Sequence, residues 1–449
     1  MVSTWDINNK RVKSLHINNK EIKSMVRVSD SAILYQNQPD NYLLTLTSDK
    51  DILSYADHES ATLTATLTNN SVPVSGETVV FTMNGTTDSL TSDNGHVEQH
   101  TGTISYSSNG LTLNGNTNTI AYYTYHLMDL ANVSYRIEMD CTKTENTYII
   151  GKISNADDSS GEDLTFQLYT SSGYLFNSGS FQMPSGLGST IHIAIEISPT
   201  AQKIYVNNQL VGTATKSITS TALKRLEFWK TSFDPVYTIK NLSISELIGS
   251  DTTDANGEAT VSYLGNHTNT LYIRAKTGSL ESNQISIDDL WDYDPMTSDS
   301  GKWNWGSITH SFSSNGCQIT GSVMGEALYN KQLPSNFEVE ATFHFDETTE
   351  DMFTIGRYTI YHGTSSSINS LIIFSWHDPD GWSNRTAVAM NRLNTDITLK
   401  FRYENGTVSV LNGDTILAYK PGGNLLDYPL SICYLGRIRS IKDVKIRQL

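Results

Sequence analysis

Two tryptophans bracket a short polar turn in the last fifth of the chain, Trp376-His377-Asp378-Pro379-Asp380-Gly381-Trp382. Flat indole faces stack on the apolar faces of sugar rings. His377, Asp378, Asp380, Asn384 and Arg385 add hydrogen-bonding groups suited to hydroxyls. An earlier stretch, Tyr169-Thr170-Ser171-Ser172-Gly173-Tyr174, repeats the arrangement with two phenols. The pattern predicts a ligand-contacting aromatic turn, with Trp376, His377, Asp378, Asp380, Trp382, Asn384 and Arg385 as ligand-binding residues. Tyr169 and Tyr174 are their earlier counterparts. A cross-strand aromatic pair that only stabilises a hairpin has the same spacing.

A second kind of chemistry could come from Glu138 and Asp140, which alternate on a strand and so face one side. Jelly-roll glucanases resemble this, with Glu, Asp and Glu at alternate positions. Here the third position is Thr142, so one of the two carboxylates that a retaining hydrolase sets about 5 Å apart is missing. Thr342-Phe343-His344-Phe345-Asp346 is poorer still. The chain is therefore expected not to be an enzyme. Asp157-Asp158 with Glu162-Asp163, and Asp292-Tyr293-Asp294, are oxygen-rich enough for calcium, although solvated acidic loops look the same. No cofactor is expected otherwise.

The elements that position these groups are written twice. Ser107-Ser108-Asn109-Gly110, Glu145, Gly151-Lys152, the Tyr169/Tyr174 turn and Asn207-Asn208 recur as Ser313-Ser314-Asn315-Gly316, Glu350, Gly356-Arg357, the Trp376/Trp382 turn and Asn412-Gly413. An offset near 200 residues, kept throughout, is a duplicated domain rather than a solenoid unit. Both copies are strand-rich without helical periodicity, and each closes on a similar strand, 237–247 and 440–449. This order resembles a concanavalin A-like, laminin-G-type jelly roll. The resemblance implies binding of glycans or proteins through loops and a concave sheet; laminin-G-type folds also often hold calcium.

Composition agrees with an all-β chain. Only 17% of the 449 residues are charged, and 23 Tyr accompany 7 Trp and 13 Phe, a mixture suited to pleated surfaces. A net charge of −16 argues against nucleic acid or anionic membrane as the partner. No run is long and apolar enough to insert into a membrane. Cys141, Cys317 and Cys433 form neither a disulfide framework nor a zinc pattern, and buried thiols are expected.

The first 28 residues differ from the rest, carrying Lys10, Arg11, Lys13, Lys20, Lys23 and Arg27 against Asp6 and Glu21. A ten-residue unit repeats there, Ile7-Asn8-Asn9-Lys10 and Ile17-Asn18-Asn19-Lys20, each Asn-Asn a hairpin turn. Such short hairpins need a neighbour, which points to assembly. Next, Ala61-Thr62-Leu63-Thr64-Ala65-Thr66-Leu67-Thr68 alternates cleanly and begins a segment that resembles a bacterial Ig-like domain of the invasin/intimin type. That family's second signature arrives only at Thr253-Asp254-Ala255-Asn256-Gly257, so the resemblance implies a sandwich interrupted at a loop tip by the first jelly roll.

The expected organisation is a basic hairpin anchor (1–46), a discontinuous Ig-like sandwich (47–96 plus 250–288), an inserted jelly roll (97–249) and a C-terminal jelly roll (289–449). Serial Ig-like and jelly-roll modules resemble surface adhesins. Residues 1–10 lack the apolar core of an export signal, which favours a phage or archaeal-virus tail fibre or receptor-binding protein. That resemblance implies attachment to a host-surface glycan or protein, docking to other virion tail or baseplate proteins through the N-terminus, and a homotrimer. A cellular surface adhesin and, after it, a polysaccharide-degrading enzyme are the alternatives.

Overall fold

A computed structural model describes the chain apart from residues 1–4, 8–9, 13–15, 18–19, 22–24, 30–31, 36–40, 115–117, 144–148, 158–163, 169–171, 176–178, 186, 216, 231–235, 266–268, 320–324, 346–350, 366–367, 375–384, 390–394, 422–429 and 435–437. It is all-β, with a single 3-10 turn at Tyr55–Asp57 among the described residues. Near the N-terminus, Ile7 pairs with Lys10 and Ile17 with Lys20, while the two Asn-Asn steps lie outside the described residues. Met25–Ser29 and Ala32–Tyr35 make a third hairpin.

The duplication holds strand by strand. One sheet of the first copy runs Gln209–Ala214, Gln202–Val206, Thr190–Ile197, Tyr135–Lys143, Tyr237–Thr252, Gly110–Asn114, Thr103–Ser107. In the second copy the same order is Thr415–Lys420, Thr407–Asn412, Asp396–Glu404, Phe337–Phe345, Ile438–Gln448, Gly316–Ile319, His310–Ser313. Each faces a second, seven-stranded sheet, and a common apolar core fills the gap, including Ile137, Met139, Phe166 and Phe228 in one copy and Val339, Phe343, Phe353 and Phe401 in the other.

Irregularities recur as well. The register slips between Glu138 and Asp140 and between Glu340 and Thr342, opposite Asn241 and Asp443, both at φ 53°. Gly110 and Gly316 sit at φ 116° and 104°; a Cβ there would stand 2.2 Å from the Ile239 carbonyl oxygen and 2.5 Å from that of Ile441. Only glycine fits, because both the conformation and the close backbone approach exclude a side chain. In each copy the turn leading into that glycine is closed by serine, Ser107 Oγ accepting from Asn109 N and Ser313 Oγ from Asn315 N at 3.2 Å. At the Asn207-Asn208 turn both residues have positive φ, 49° and 65°, as a primed hairpin requires.

The intervening sandwich draws its core from two stretches, with Leu63, Ala65, Leu67 and Phe81 meeting Ala259, Leu271, Ile273 and Ile287. Ala61, Leu63, Ala65 and Leu67 point inward while the intervening threonines stay at least partly exposed, the period-2 pattern of a half-buried strand. The Thr253–Gly257 turn is tied by Asp254 Oδ1, which accepts from Asn256 N at 2.8 Å and Glu258 N at 2.9 Å.

Sandwich and inserted jelly roll are joined by more than a loop tip. Thr78–Asp88 and the 16-residue Tyr237–Thr252 pair antiparallel from Thr78↔Thr252 to Asp88↔Leu242. Tyr237–Thr252 also pairs with Tyr135–Lys143 of the insert, and Thr78–Asp88 with Thr270–Thr277 of the sandwich, so one sheet of 12 strands passes through both. The expected boundary at 249/250 falls inside a shared strand. Asp93-Asn94-Gly95 turns instead into Val97–Thr101, which pairs within the insert.

Sandwich and C-terminal jelly roll meet at a buried ion-pair cluster. Asp292, 1% exposed, accepts from Ser54 Oγ at 2.8 Å, Lys302 Nζ at 2.5 Å and the Tyr329 hydroxyl. Lys302 also reaches Asp57 at 2.6 Å. Burial alone would raise Asp57, but Lys302, Lys331 and Ser54 hold it well below the usual carboxylate range. Of the residues considered for calcium, Asp292 carries an ammonium, while Asp294 accepts from Ser300, Trp303 Nε1 and Met296 N. Asp157 lies in a turn, and Asp158, Glu162 and Asp163 lie outside the described residues. Trp303 and Trp305 are core residues of this copy, and Cys141 and Cys317 are buried free thiols.

Candidate functional site

Trp376, His377, Asp378, Asp380, Trp382, Asn384 and Tyr169 lie outside the described residues. The strands around the first of these, Ile368–Phe374 and Thr386–Ala389, pair from Ser370↔Ala389 to Ile373↔Thr386, and Arg385 is exposed just before the second. Tyr174 lies on Ser172–Leu175, its backbone between Gln167 and Ser180.

That register leads to a site no single stretch of sequence displays. Leu226, Phe228, Ile153, Leu164 and Phe166 of the second sheet of the inserted copy are core residues. Alternation therefore puts Arg225, Glu227, Trp229, Lys152, Ser154, Thr165 and Gln167 on the opposite, outer face. Tyr122 pairs with Glu227, Glu227 with Lys152, and Lys152 with Thr165, forming one row across four strands. Trp229 and Gln167 both pair with Ile150, and Gln167 pairs with Tyr174, forming the next row.

Contacts within the face order its side chains. The Arg225 guanidinium lies 3.6 Å from the Tyr122 ring centroid, and Lys152 Nζ is 5.4 Å from the Trp229 ring. His100 stacks on Tyr122 with centroids 4.7 Å apart. Glu227 Oε2 accepts from Trp229 Nε1 at 2.8 Å, Oε1 accepts from Ser154 Oγ, and Arg225 Nε stands 3.6 Å away. Arg225 and Glu227 are 5% and 3% exposed. Charged groups buried so deeply persist only when paired and bonded, as these are. Tyr122 is 7% exposed, held between Arg225 and His100, and with Glu227 it acts as support. The partly exposed groups of the face are Trp229 and Lys152, an aromatic ring and a cation suited to sugar-ring stacking and hydroxyl recognition. In the C-terminal copy the corresponding strand Ser431–Tyr434 sets Ser431 against Thr354 and Leu328, with no such charged row among the described residues.

Glu138 and Asp140 do share a face of Tyr135–Lys143, but on the other sheet and in a structural network. Glu138 accepts from Arg136 at 2.8 Å and pairs with Lys276 of the sandwich; Arg136 also binds Glu196 at 2.6 Å. Asp140 is held by His192 Nδ1 at 2.9 Å and Asn241 Nδ2 at 2.7 Å, and His192 Nε2 lies 3.9 Å from Glu138. Burial would raise the Glu138 carboxyl, yet His192, Arg136 and Lys276 overcome it and hold it well below its usual range. A general acid needs the opposite shift. In the second copy the ion pair reverses sign across the same strands, with Arg402 donating to Glu338 at 2.8 Å.

Among the described residues no group of acidic, histidine or cysteine side chains is arranged to hold a metal, and no helix is long and apolar enough to cross a membrane. No protein-family model matches the chain, and no curated protein matches it. Similar solved structures include an apo Crh5 transglycosylase at 12% identity and TM-score 0.29, covering 38% of this chain and 89% of that one. Carbohydrate binding module CBM66 from Bacillus subtilis is similar at 16% identity and TM-score 0.27, covering 33% and 95%. Domains LG4-5 of the mouse laminin alpha1 chain are similar at 9% identity and TM-score 0.22, covering 74% and 87%.

Proposed function

We propose that the protein is a non-enzymatic, glycan-binding attachment protein whose inserted jelly roll carries a principal receptor site on the Tyr122–Arg225–Glu227–Trp229–Lys152 face. The observation that carries this reading is the Trp229 platform beside a carboxylate fixed by Ser154 and Trp229. A site with preset donors and acceptors loses little conformational entropy on binding. The test is binding of the full chain to host cells and to a glycan array, wild type against Trp229→Ala and Trp229→Leu. Loss of binding with unchanged melting temperature supports the reading. Equal binding by stably folded variants refutes it.

The wider role we infer is that of a virion tail fibre or spike, anchored through residues 1–46 and reaching the host surface with its jelly rolls. It rests on the contrast between the basic hairpin segment and the acidic remainder. The segment supplies self-association, as a trimer, and docking to tail or baseplate proteins. Sedimentation of the full chain against a chain lacking residues 1–40 tests the assembly step. A trimer that becomes a monomer on truncation is expected; a monomer in both cases refutes it.

A further inference from the structure

The sheet shared by insert and sandwich carries a second recess, on its outer face. Two overlapping hollows of about 480 and 340 Å3 lie there, and Thr82, Thr87, Ser243, Ser245, Arg274 and Glu281 line both. Each volume falls in the range of small-molecule sites. The recess exists because the sheet is continuous. Ser243 and Ser245 come from the strand that closes the jelly roll, Thr82 and Thr87 from its partner, and Arg274 from the sandwich. Neither domain alone builds it.

The lining narrows the ligand class. The hydroxyls of Thr82, Thr87, Ser243 and Ser245, with Asn84 and Gln284, present donors and acceptors along the floor and rim. Tyr272, 53% exposed, stands at one wall as an open aromatic face. Arg274 is braced rather than mobile, donating to Glu281 at 2.8 Å and to Gln284 at 3.2 Å. Three cations, Arg136, Arg274 and Lys276, oppose three carboxylates, Asp88, Glu138 and Glu281. A recess whose lining charges balance offers no net charge to draw in a polyanion or polycation. Hydroxyl-rich walls with one exposed ring suit an uncharged, polyhydroxylated ligand.

We propose that this recess is a second binding groove, selective for neutral oligosaccharides and separate from the Trp229 platform on the opposite sheet. Two sites on one chain raise avidity for a glycan-coated surface without any new contact. This proposal stands on the recess itself and survives failure of the platform reading.

The test uses the full chain on an array of immobilised neutral and sialylated oligosaccharides. Trp229→Ala removes the platform, and groove variants are added to that parent. Residual binding to neutral glycans is expected in the parent. Tyr272→Ala should weaken it about tenfold, the loss of one stacking ring. Thr87→Trp, which fills the recess from an exposed position, should abolish it. Melting curves matched to the parent confirm folding; if Thr87→Trp unfolds, the exposed Tyr272→Ala still decides. No residual binding in the parent, residual binding untouched by both groove variants, or a response confined to sialylated glycans overturns the proposal. Intact binding in the parent that falls only with the groove variants sinks the platform and leaves the groove.

Discussion

Replacing Glu138 with glutamine should loosen the weld between insert and sandwich. The substitution keeps the side chain's size and removes its charge, leaving Lys276 without its carboxylate and Arg136 with Glu196 alone. Deleting one partner of a buried pair costs about 3–5 kcal/mol. Lys276 is 28% exposed and Arg136 keeps one partner, so the low end, about 3 kcal/mol, applies. For a unit of this size that lowers Tm by roughly 6–12 °C. The assay is calorimetry and urea unfolding of wild type, Glu138→Gln, Lys276→Met and the double variant. The double variant should be less destabilised than the sum of the singles by at least ~1 kcal/mol, because one charge removed makes the other's removal cheaper. A Tm change under about 2 °C for Glu138→Gln, where ~3 kcal/mol is expected, or strict additivity, would refute the coupling.

Because the folded-state Glu138 carboxyl lies below its unfolded value of 4.5, its contribution is present above that pH and lost as pH falls through the folded value. Acid titration of stability should therefore be steeper in wild type than in Glu138→Gln. His192 runs the other way. Glu138 and then Asp140 raise it above 6.5 against burial, so its contribution is full below pH 6.5 and fades as pH rises through the folded pKa; NMR titration should show that pKa falling in Glu138→Gln. Gly316→Ala should cost roughly 2–4 kcal/mol, from left-handed strain plus a clash with the Ile441 carbonyl, and Gly110→Ala should do the same in the other copy; two silent substitutions would contradict the geometry. Cys317, pushed up to about 12 by burial and then by nearby Asp294, should resist iodoacetamide at pH 8 until the protein unfolds, read by peptide mass spectrometry. Lys302→Met should destabilise the docking of the C-terminal jelly roll by about 3 kcal/mol, leaving buried Asp292 short of its main cation.

What the amino-acid sequence determined by itself is local. Alternation at Ala61-Thr62-Leu63-Thr64 selects a half-buried strand. Asn207-Asn208 selects a tight turn with both residues at positive φ, and in the second copy Gly413 alone of Asn412-Gly413 takes a positive φ. Ser107–Gly110 and Ser313–Gly316 announce the same turn twice, and with it the duplication. Each signal spans a few residues and acts through backbone conformation or side-chain period, so it is legible without neighbours. The strand that carries Tyr174 lies in the same sheet as Trp229.

The residues of the Trp229 face are brought together by sheet order. Tyr122, Lys152 and Trp229 stand far apart in the chain and meet only because 224–230 lies between 119–128 and 149–155. The sequence shows an aromatic or cationic residue at each of these positions but not which strand lies beside which. Glu138 shares its strand face with Asp140 in the sequence, but only folding brings Lys276 of the sandwich onto its carboxylate. Asp292 belongs to an oxygen-rich stretch of the sequence, and only the fold shows that its carboxylate accepts from Lys302. A carboxylate's chemistry follows from the charge and burial around it, and in a β-rich chain those neighbours come from long-range strand pairing that no local pattern encodes.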